Sequence, residues 1–267
     1  MRAPILIAIA LAASGGVAQA QLFSSDYTED RSASIAIAGA TSIRIVGLAG
    51  DLKIQGRKGL AQARATGKAR ASSRDLLGEI KLVAERVGSE VVVRADIPEH
   101  RGMNWRSEQS LDMVVEVPSE LPLRVEDGSG DTEIRGVGAV DVKDGSGDLL
   151  IEDAGGVVVD DGSGDIEIRG VKGDVRVNDG SGDITVTNVT GTLTVESDGS
   201  GDIEASGISG SVVVRSDGSG EIAVHDVGGD FDVGHKGSGD VSYERVKGKV
   251  SIPDRKRHRH GDDDDPL

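Results

Sequence analysis

Aspartates at the two ends of a repeated five-residue turn are the side chains of this sequence best placed to do chemistry. The motif Asp-Gly-Ser-Gly-Asp begins at Asp127, Asp144, Asp161, Asp179 and Asp198. A sixth copy runs from Asp217 to Glu221, and a seventh runs from Lys236 to Asp240. Successive copies start 17, 17, 18, 19, 19 and 19 residues apart, and such a regular period is the signature of a repeat architecture.

Stacking of the repeats would place the carboxylates in two files. The first-Asp file consists of Asp127, Asp144, Asp161, Asp179, Asp198 and Asp217, and Lys236 ends it. The last-Asp file consists of Asp131, Asp148, Asp165, Asp183, Asp202, Glu221 and Asp240. Like charges about 5 Å apart repel by about 1 kcal/mol even in water, so each file needs a compensating interaction.

Two compensating interactions are open. Each Asp can accept hydrogen bonds from backbone N–H groups of its own turn, as in an Asx turn. Alternatively, Ca²⁺ binds between adjacent corners, because carboxylates and turn carbonyls are hard oxygen ligands. The candidate calcium ligands are Asp127, Asp131, Asp144, Asp148, Asp161, Asp165, Asp179, Asp183, Asp198 and Asp202. The motif differs from the calcium-binding nonapeptide G-G-x-G-x-D in having about twice the period, and no other cofactor is indicated.

The serines of the corners do not form a catalytic pattern. A nucleophilic Ser needs a base within hydrogen-bond reach, and only His225 and His235 lie in the repeats. Repetition also argues against catalysis, since a catalytic Ser is needed only once. We therefore predict no catalytic residue and no enzymatic activity, and we expect the Ser hydroxyls to form a ladder inside the corner.

The residues between the corners alternate between apolar and polar side chains, which predicts two half-buried strands per unit. In one unit the five inward positions are Ile184, Val186, Val189, Leu193 and Val195, and the neighbouring units carry aliphatic residues at the same places. An antiparallel meander and a β-solenoid both fit this alternation, and the near-identical units favour the solenoid. We predict an all-β fold: a single-stranded, right-handed-type β-solenoid with two short strands per 17–19-residue coil, about nine coils in all, plus a small N-terminal insertion.

Upstream of the motifs the period is looser. The segment 42–54 predicts one coil without the Asp corner, and Leu111–Val117 with Leu121–Val125 predicts another. Between them, the insertion 57–110 predicts a short helix from Ser72 with Ser73 as N-cap, and a hairpin around Gly88-Ser89. We divide the chain into 1–20, 21–34, 35–126, 127–252 and 253–267: signal peptide, flexible segment, irregular solenoid, regular repeats and a disordered, charged tail.

The first twenty residues have the pattern of a secretory signal. Arg2 precedes a short apolar run, and Ala18-Gln19-Ala20 is a small-x-small cleavage site, so we expect the mature chain to start at Gln21. No later segment is apolar enough to cross a membrane. The formal charge of −16 argues against a nucleic-acid partner. These features predict a periplasmic or secreted protein.

The segment from Leu111 to Pro118, then Leu123-Arg124-Val125 and the GSGD repeats, resembles a bacterial family of unknown function labelled "putative adhesin", with β-strand repeats. The resemblance covers roughly residues 35–252. It implies an exported, non-enzymatic β-solenoid, and it brings no catalytic residues.

Two functions remain open. The first is a structural or adhesin-like binding module of the cell envelope, whose partner is an unidentified envelope or surface macromolecule. The second is a ligand-binding or polysaccharide-acting protein with a site at the irregular N-terminal end, near Trp105 and residues 96–110. The oligomeric state is open, because an uncapped last coil near Ile252 could pair with another chain.

Overall fold

The structure is a computed structural model that describes residues 27–98 and 109–253. The signal peptide with Ala18, Ala20 and Gln21, Trp105 with most of the loop 96–110, and the charged tail lie outside the described residues and stay predictions. Within the described ranges, the single helix is six residues long, and no helix has the length and apolar character needed to cross a bilayer.

Strands are the main secondary structure of the described chain, as the alternation predicts. The irregular part contains β1 (Tyr27–Ala36), β2 (Ser42–Val46), β3 (Leu52–Arg57), β4 (Gln62–Ala71), α1 (Arg74–Glu79), β5 (Lys81–Val87), β6 (Glu90–Asp96) and β7 (Gln109–Pro118). The repeats contain β8 (Leu123–Glu126), β9 (Thr132–Arg135), β10 (Ala139–Asp144), β11 (Leu149–Glu152), β12 (Gly156–Asp161), β13 (Ile166–Val171), β14 (Val175–Asp179), β15 (Ile184–Val189), β16 (Leu193–Asp198), β17 (Ile203–Ile208), β18 (Val212–Ser216), β19 (Ile222–Val227), β20 (Phe231–His235), β21 (Val241–Val246) and β22 (Val250–Ser251).

Two eleven-stranded sheets face each other, and each coil contributes one strand to each sheet. Sheet A has the order β1-β4-β7-β3-β9-β11-β13-β15-β17-β19-β21, and sheet B has the order β22-β20-β18-β16-β14-β12-β10-β8-β2-β6-β5. Neighbouring repeat strands pair in parallel with equivalent residues opposite each other, for example Ile166 with Ile184 and Val175 with Leu193. This register confirms the β-solenoid, because a meander would pair its strands antiparallel. Seven coils carry the repeated corner.

The core lies between the two sheets and consists of the predicted inward side chains. The residues Ile184, Val186, Val189, Leu193 and Val195 are all at most 1% exposed. Parallel stacking at about 4.8 Å places each of them on its counterpart in the next coil. Full burial stabilises each such side chain by about 1.5–3 kcal/mol, so the coils need no disulfide.

The order of the upstream coils differs from their order along the chain. Strands β2 and β3 form a level that lies between β6 and β7 on one side and β8 and β9 on the other. The predicted coil made of Leu111–Val117 and Leu121–Val125 is therefore wrong: its two strands belong to levels separated by the one in between. The alternation in each strand is local and does not specify which neighbour a strand will take.

One end of the solenoid is closed by the insertion. Strands β1 and β4 extend sheet A antiparallel to β7, and β5 extends sheet B antiparallel to β6. The helix α1 packs beside them, and its predicted N-cap is confirmed, since the Ser73 hydroxyl accepts a hydrogen bond from the Leu76 N–H at 3.2 Å. The predicted hairpin around Gly88 is also confirmed. Arg31 holds this cap together by donating to the carbonyls of Ile80 and Leu77, each at 2.9 Å.

Candidate functional site

The repeated corner connects a strand of sheet B to the next strand of sheet A, and stacking brings its two Asp positions into the predicted files. The two files have different environments. The first-Asp file points into the molecule, where its members are 1–8% exposed. The described members of the last-Asp file are exposed.

The last-Asp file is a ladder of side-chain to backbone hydrogen bonds. The Oδ1 of Asp131 accepts from the N–H of Asp148 in the next coil at 3.2 Å, and Asp148 accepts in the same way from Asp165 at 3.2 Å. The distances at the following steps are 3.0, 2.9 and 2.7 Å, the last ending at the Glu221 N–H. The predicted capping therefore exists, but it joins one coil to the next rather than closing a carboxylate's own turn. Bonds to backbone N–H groups stabilise the charged form of each carboxylate.

The last-Asp ladder extends further upstream than the motif does. The Asp131 N–H donates to Asp51 Oδ1 at 3.4 Å, and the Asp51 N–H donates to Asp112 Oδ1 at 3.3 Å. Sequence analysis missed Asp51 and Asp112. The signal for Asp51 was Gly50-Asp51, which matches the last two residues of the motif, whereas nothing marked Asp112, because its level is built from a distant segment.

The first-Asp file has few partners for its oxygens. Within the described residues, both carboxylate oxygens of Asp144, Asp198 and Asp217 are buried without a hydrogen bond of good geometry, as is one oxygen of each remaining member. Asp161 Oδ1 accepts from the Gly162 N–H at 2.8 Å, so own-turn capping occurs here in part. Burying a charged carboxylate without full compensation costs several kcal/mol, so these groups favour their neutral form.

The pKa values of the first-Asp file are accordingly raised. Burial, aided by the charges of Asp127 and Asp161, raises the pKa of Asp144 to about 6. Burial and the charge of Asp179 raise the pKa of Asp161 to about 6. For Asp198, burial with Asp179 and Asp217 on either side raises the pKa to about 7.

At both ends of the first-Asp file, neighbouring side chains oppose the rise in pKa. Burial raises the pKa of Asp127, while the Thr132 hydroxyl, which donates to Asp127 Oδ2 at 3.0 Å, opposes the rise. At the other end burial raises the pKa of Asp217, and the cations His235 and Lys236 oppose it. Thr132 is a third position that sequence analysis missed: it replaces an aliphatic residue that other coils carry.

Glycines let the corners stack closely enough to form both files. Gly201 has φ +143°, and an added Cβ would overlap the carbonyl oxygen of Gly182 in the preceding coil. The serine between the glycines contributes its backbone, since its carbonyl accepts from a Gly N–H of the preceding coil, as in Gly182 N–H to Ser200 O at 2.9 Å. The Ser side chains of the first six corners are half-buried or exposed. The predicted hydroxyl ladder inside the corner is therefore wrong, and the buried place belongs to the first Asp.

The outer faces of both sheets carry charges in pairs. On sheet A, Arg135 contacts Glu133 at 2.9 Å and Glu152 at 2.8 Å, and Arg169 continues the network from Glu152 at 3.3 Å. On sheet B, Glu196 lies between Arg176 and Arg215 at 2.8 and 2.7 Å. These exposed pairs contribute about 0–1 kcal/mol each, and they partly neutralise the acidic side chains of the faces.

Two open depressions lie on these faces. One, of 630 Å³, is bordered by Arg124, Asp141, Val158 and Arg176 on sheet B. The other, of 610 Å³, lies on sheet A beside Lys68 and the upstream end of the last-Asp ladder. No member of the first-Asp file lines either depression.

The geometry does not gather a ready metal centre in the part of the chain that the structure describes. No three His, Asp or Glu side chains there converge in an arrangement that could hold a metal ion. Adjacent carboxylates of one file remain the candidate calcium ligands, as the alternative to capping by backbone N–H groups.

No family model and no curated protein matches this chain. Among solved structures, it is similar to a putative adhesin from Bacteroides fragilis, with 15% identity and a TM-score of 0.43 over 84% of this chain and 96% of that one. A putative adhesin from Parabacteroides distasonis has 12% identity and a TM-score of 0.38 over 84% and 97% of the two chains. A protein from the same organism named putative lipid binding protein has 17% identity and a TM-score of 0.36, with the same coverage. The name "putative adhesin" is the one that the sequence resemblance predicted.

Proposed function

We propose that this protein is an exported, non-enzymatic β-solenoid that works as a structural or adhesin-like binding module of the cell envelope, in the periplasm or outside the cell. Its partner would be a cell-envelope or surface macromolecule. A stack of coils presents the same backbone corner again and again on a rigid support, which suits a repetitive partner better than a small molecule.

The observation that carries this proposal is the exposed last-Asp ladder. Five of its members, Asp131, Asp148, Asp165, Asp183 and Asp202, take part in no ion pair found among the described residues, whereas Glu133, Glu152 and Glu196 on the sheet faces pair with arginines. Each Oδ1 is held by a backbone N–H, so the row is ordered before any partner arrives. Preorganised charges lose little conformational entropy on binding.

The electrostatic balance of the whole chain supports a surface-binding role. The formal charge of the chain is −16, and the exposed carboxylates of the last-Asp ladder contribute to it. Such a row attracts cationic groups of a partner over about 8–10 Å at physiological salt.

The proposal is tested by measuring how the fluorescently labelled protein binds to intact and to permeabilised cells of the host bacterium, so that both outer and periplasmic surfaces are reached. The test variant Asp148→Asn/Asp165→Asn/Asp183→Asn keeps an oxygen to accept each backbone N–H but removes three charges. We expect the variant to bind at least about tenfold more weakly, and binding of the native protein to fall as salt is raised.

The matched control removes three acidic charges from the sheet faces, in Asp160→Asn/Glu204→Gln/Asp232→Asn, all of them exposed. This control should bind cells like the native protein. Absence of saturable binding by the native protein, or equal losses in both triple variants, would contradict the role of the ladder.

The alternative, a ligand or polysaccharide site near residues 96–110, rests mainly on residues outside the described ranges. The depressions seen elsewhere do not favour it, because they are open and border exposed side chains of mixed charge.

A further inference from the structure

The last coil leaves apolar side chains uncovered at positions that are buried in every other repeat. The inward positions of the preceding coil, Ile222, Val224, Val227, Phe231 and Val233, are at most 3% exposed. Their counterparts in the last coil are half-buried or exposed: Val241, Tyr243, Val246, Val250 and Ile252. The ring of Tyr243 packs edge to face against that of Phe231, with 6.1 Å between the ring centroids. Tyr243 is 48% exposed.

The same end also presents free strand edges. Strand β21 is the last strand of sheet A and β22 is the last strand of sheet B, so each pairs on one side only. Unpaired N–H and C=O groups along an edge are a template for another strand. At the opposite end β1 and β5 are also edge strands, but β1, β4, β5 and α1 cover the core there, whereas the inward side chains of β21 have no such cover among the described residues.

The residues that follow Pro253 in the sequence are poor in apolar side chains. Residues 254–267 contain four consecutive aspartates and a basic block, and Leu267 is their one aliphatic residue. Each coil of this solenoid buries about five aliphatic side chains, so this segment lacks the material to cover Tyr243 and Val246.

We propose that the open end is an interface at which a second copy of this chain docks, giving a two-fold symmetric, end-to-end dimer. A two-fold axis perpendicular to the sheets pairs β21 antiparallel with β21 of the second copy. Residues directly opposite in an antiparallel pair lie on the same face, so the register that centres on Tyr243 brings the two tyrosines together. In this register Ser242 faces Glu244 of the other copy, and the apolar side chains of both ends cover one another.

The charges of the last coil suit this contact. Lys236 replaces the Asp of the first-Asp file, so this file ends one coil before the interface. The Lys236 Nζ donates to the Gly239 carbonyl at 3.0 Å. Arg245 pairs with Asp226 at 2.6 Å and Glu244 at 2.9 Å. Two ends that both carried the repeated acid would repel, whereas these ends do not continue it.

The test is sedimentation velocity of the exported protein at about 2–200 µM, since an end-on contact of this kind is small and should have an affinity in the micromolar range. We expect a monomer–dimer equilibrium with no larger species, because the opposite end is capped. A monomer at all concentrations, or open-ended polymers, would overturn the proposal.

The variant Tyr243→Lys should remain monomeric at the highest concentration. Its matched control is Val158→Lys, which changes an apolar residue of similar exposure, 45%, on the face of sheet B and should dimerise like the native protein. Equal dimerisation of Tyr243→Lys and native protein would refute the interface.

Hydrogen exchange provides a readout that needs no variant. Amides of Val241–Val246 that face the open edge should become more protected as the concentration rises, whereas amides of the edge strand β1 should not change. Protection of β21 that is independent of concentration would argue against strand pairing between copies.

Discussion

At the scale of single residues, burial separates two carboxylates that the repeat makes look alike. The first Asp of the corner is turned inward beside aliphatic side chains, and the last Asp is turned outward onto a backbone N–H of the adjacent coil. The first-Asp file destabilises the folded state when its carboxylates are charged, because like charges then lie close together where water is largely excluded. The last-Asp ladder instead links neighbouring coils by hydrogen bonds.

Acid should therefore stabilise this protein, with Asp198 as the strongest contributor. The raised pKa means that the folded state binds the proton more tightly than the unfolded chain does. The resulting stability is fully present below about pH 4 and is lost as the pH rises through 6–7. The first prediction is that the melting midpoint is about 5 °C higher at pH 5.5 than at pH 7.5, measured by circular dichroism in chelator.

The variant Asp198→Asn should isolate this effect. An amide is neutral at both pH values and can donate to the oxygens of Asp179 or Asp217, so the midpoint at pH 7.5 should rise by about 3 °C and the pH dependence should flatten. Asp202→Asn, in the exposed file of the same coil, is the control and should leave the pH dependence as it is. A loss of stability in Asp198→Asn at pH 7.5 would mean that the buried carboxylates are compensated by something other than protons.

Calcium is the other means of compensation, and melting with added calcium or chelator tests it. Because the last-Asp ladder already holds its carboxylates on backbone N–H groups, we expect the midpoint to differ by less than about 2 °C between the two conditions. A saturating site would raise the stability by about 2.7 kcal/mol at a hundredfold excess over its dissociation constant. A rise of that size, abolished by Asp198→Asn or by Asp183→Asn, would assign the ion to one file or the other.

At the scale of the element, the corner depends on glycines that approach the backbone of the next coil. Replacing Gly201 by Ala adds a Cβ that overlaps the Gly182 carbonyl, at a φ that L-residues rarely adopt. We predict a loss of about 3 kcal/mol in the free energy of unfolding, measured by urea denaturation.

Gly78→Ala is the matched control for this substitution. Gly78 lies in α1, and an added Cβ would have no atom within 4 Å. Ala is favoured over Gly inside a helix by about 0.5–1 kcal/mol, so this variant should be as stable as the native protein or slightly more so. Equal effects of the two substitutions would show that the corners do not need a close approach.

At the scale of the whole molecule, the parallel register makes the repeats exchangeable. Each repeat coil contacts mainly the coils on either side of it, so stability should be close to a sum over coils and their contacts. Removing residues 161–178 joins Asp160 to Asp179 and returns every inward side chain to its own sheet. This shortened chain should fold with an unchanged shape of the circular dichroism spectrum and a melting midpoint a few degrees lower.

Removing only residues 161–169 is the comparison. Half a coil directs the following strand toward the wrong sheet and breaks both registers, so we expect an unfolded or aggregated product. Folding of this half-coil deletion, or failure of the whole-coil deletion, would contradict a modular solenoid.

Much of this architecture follows from the sequence by itself, because strands, turns and helix caps depend on residues that are close together in the sequence. The alternation of Ile184, Val186 and Val189 with polar neighbours determines the strands and their inward faces, and the recurring corner determines that coils stack in register. The helix cap at Ser73 and the turn at Gly88 are equally local, since they depend on hydrogen bonds and dihedral angles within a few residues.

Only the tertiary structure decided features that depend on what lies above or below a residue. The two Asp positions differ little in sequence, but one meets the aliphatic core and the other meets the N–H of a coil 17–19 residues away, so burial and pKa follow from stacking. Gly47 stands where other coils carry the buried Asp, because a side chain there would collide with the carboxylate of Asp127. The placement of β2 between β6 and β8 and of β3 between β7 and β9, like the open end at Tyr243, has the same origin. The packing of distant segments settles which strand covers another, and a local pattern does not encode it.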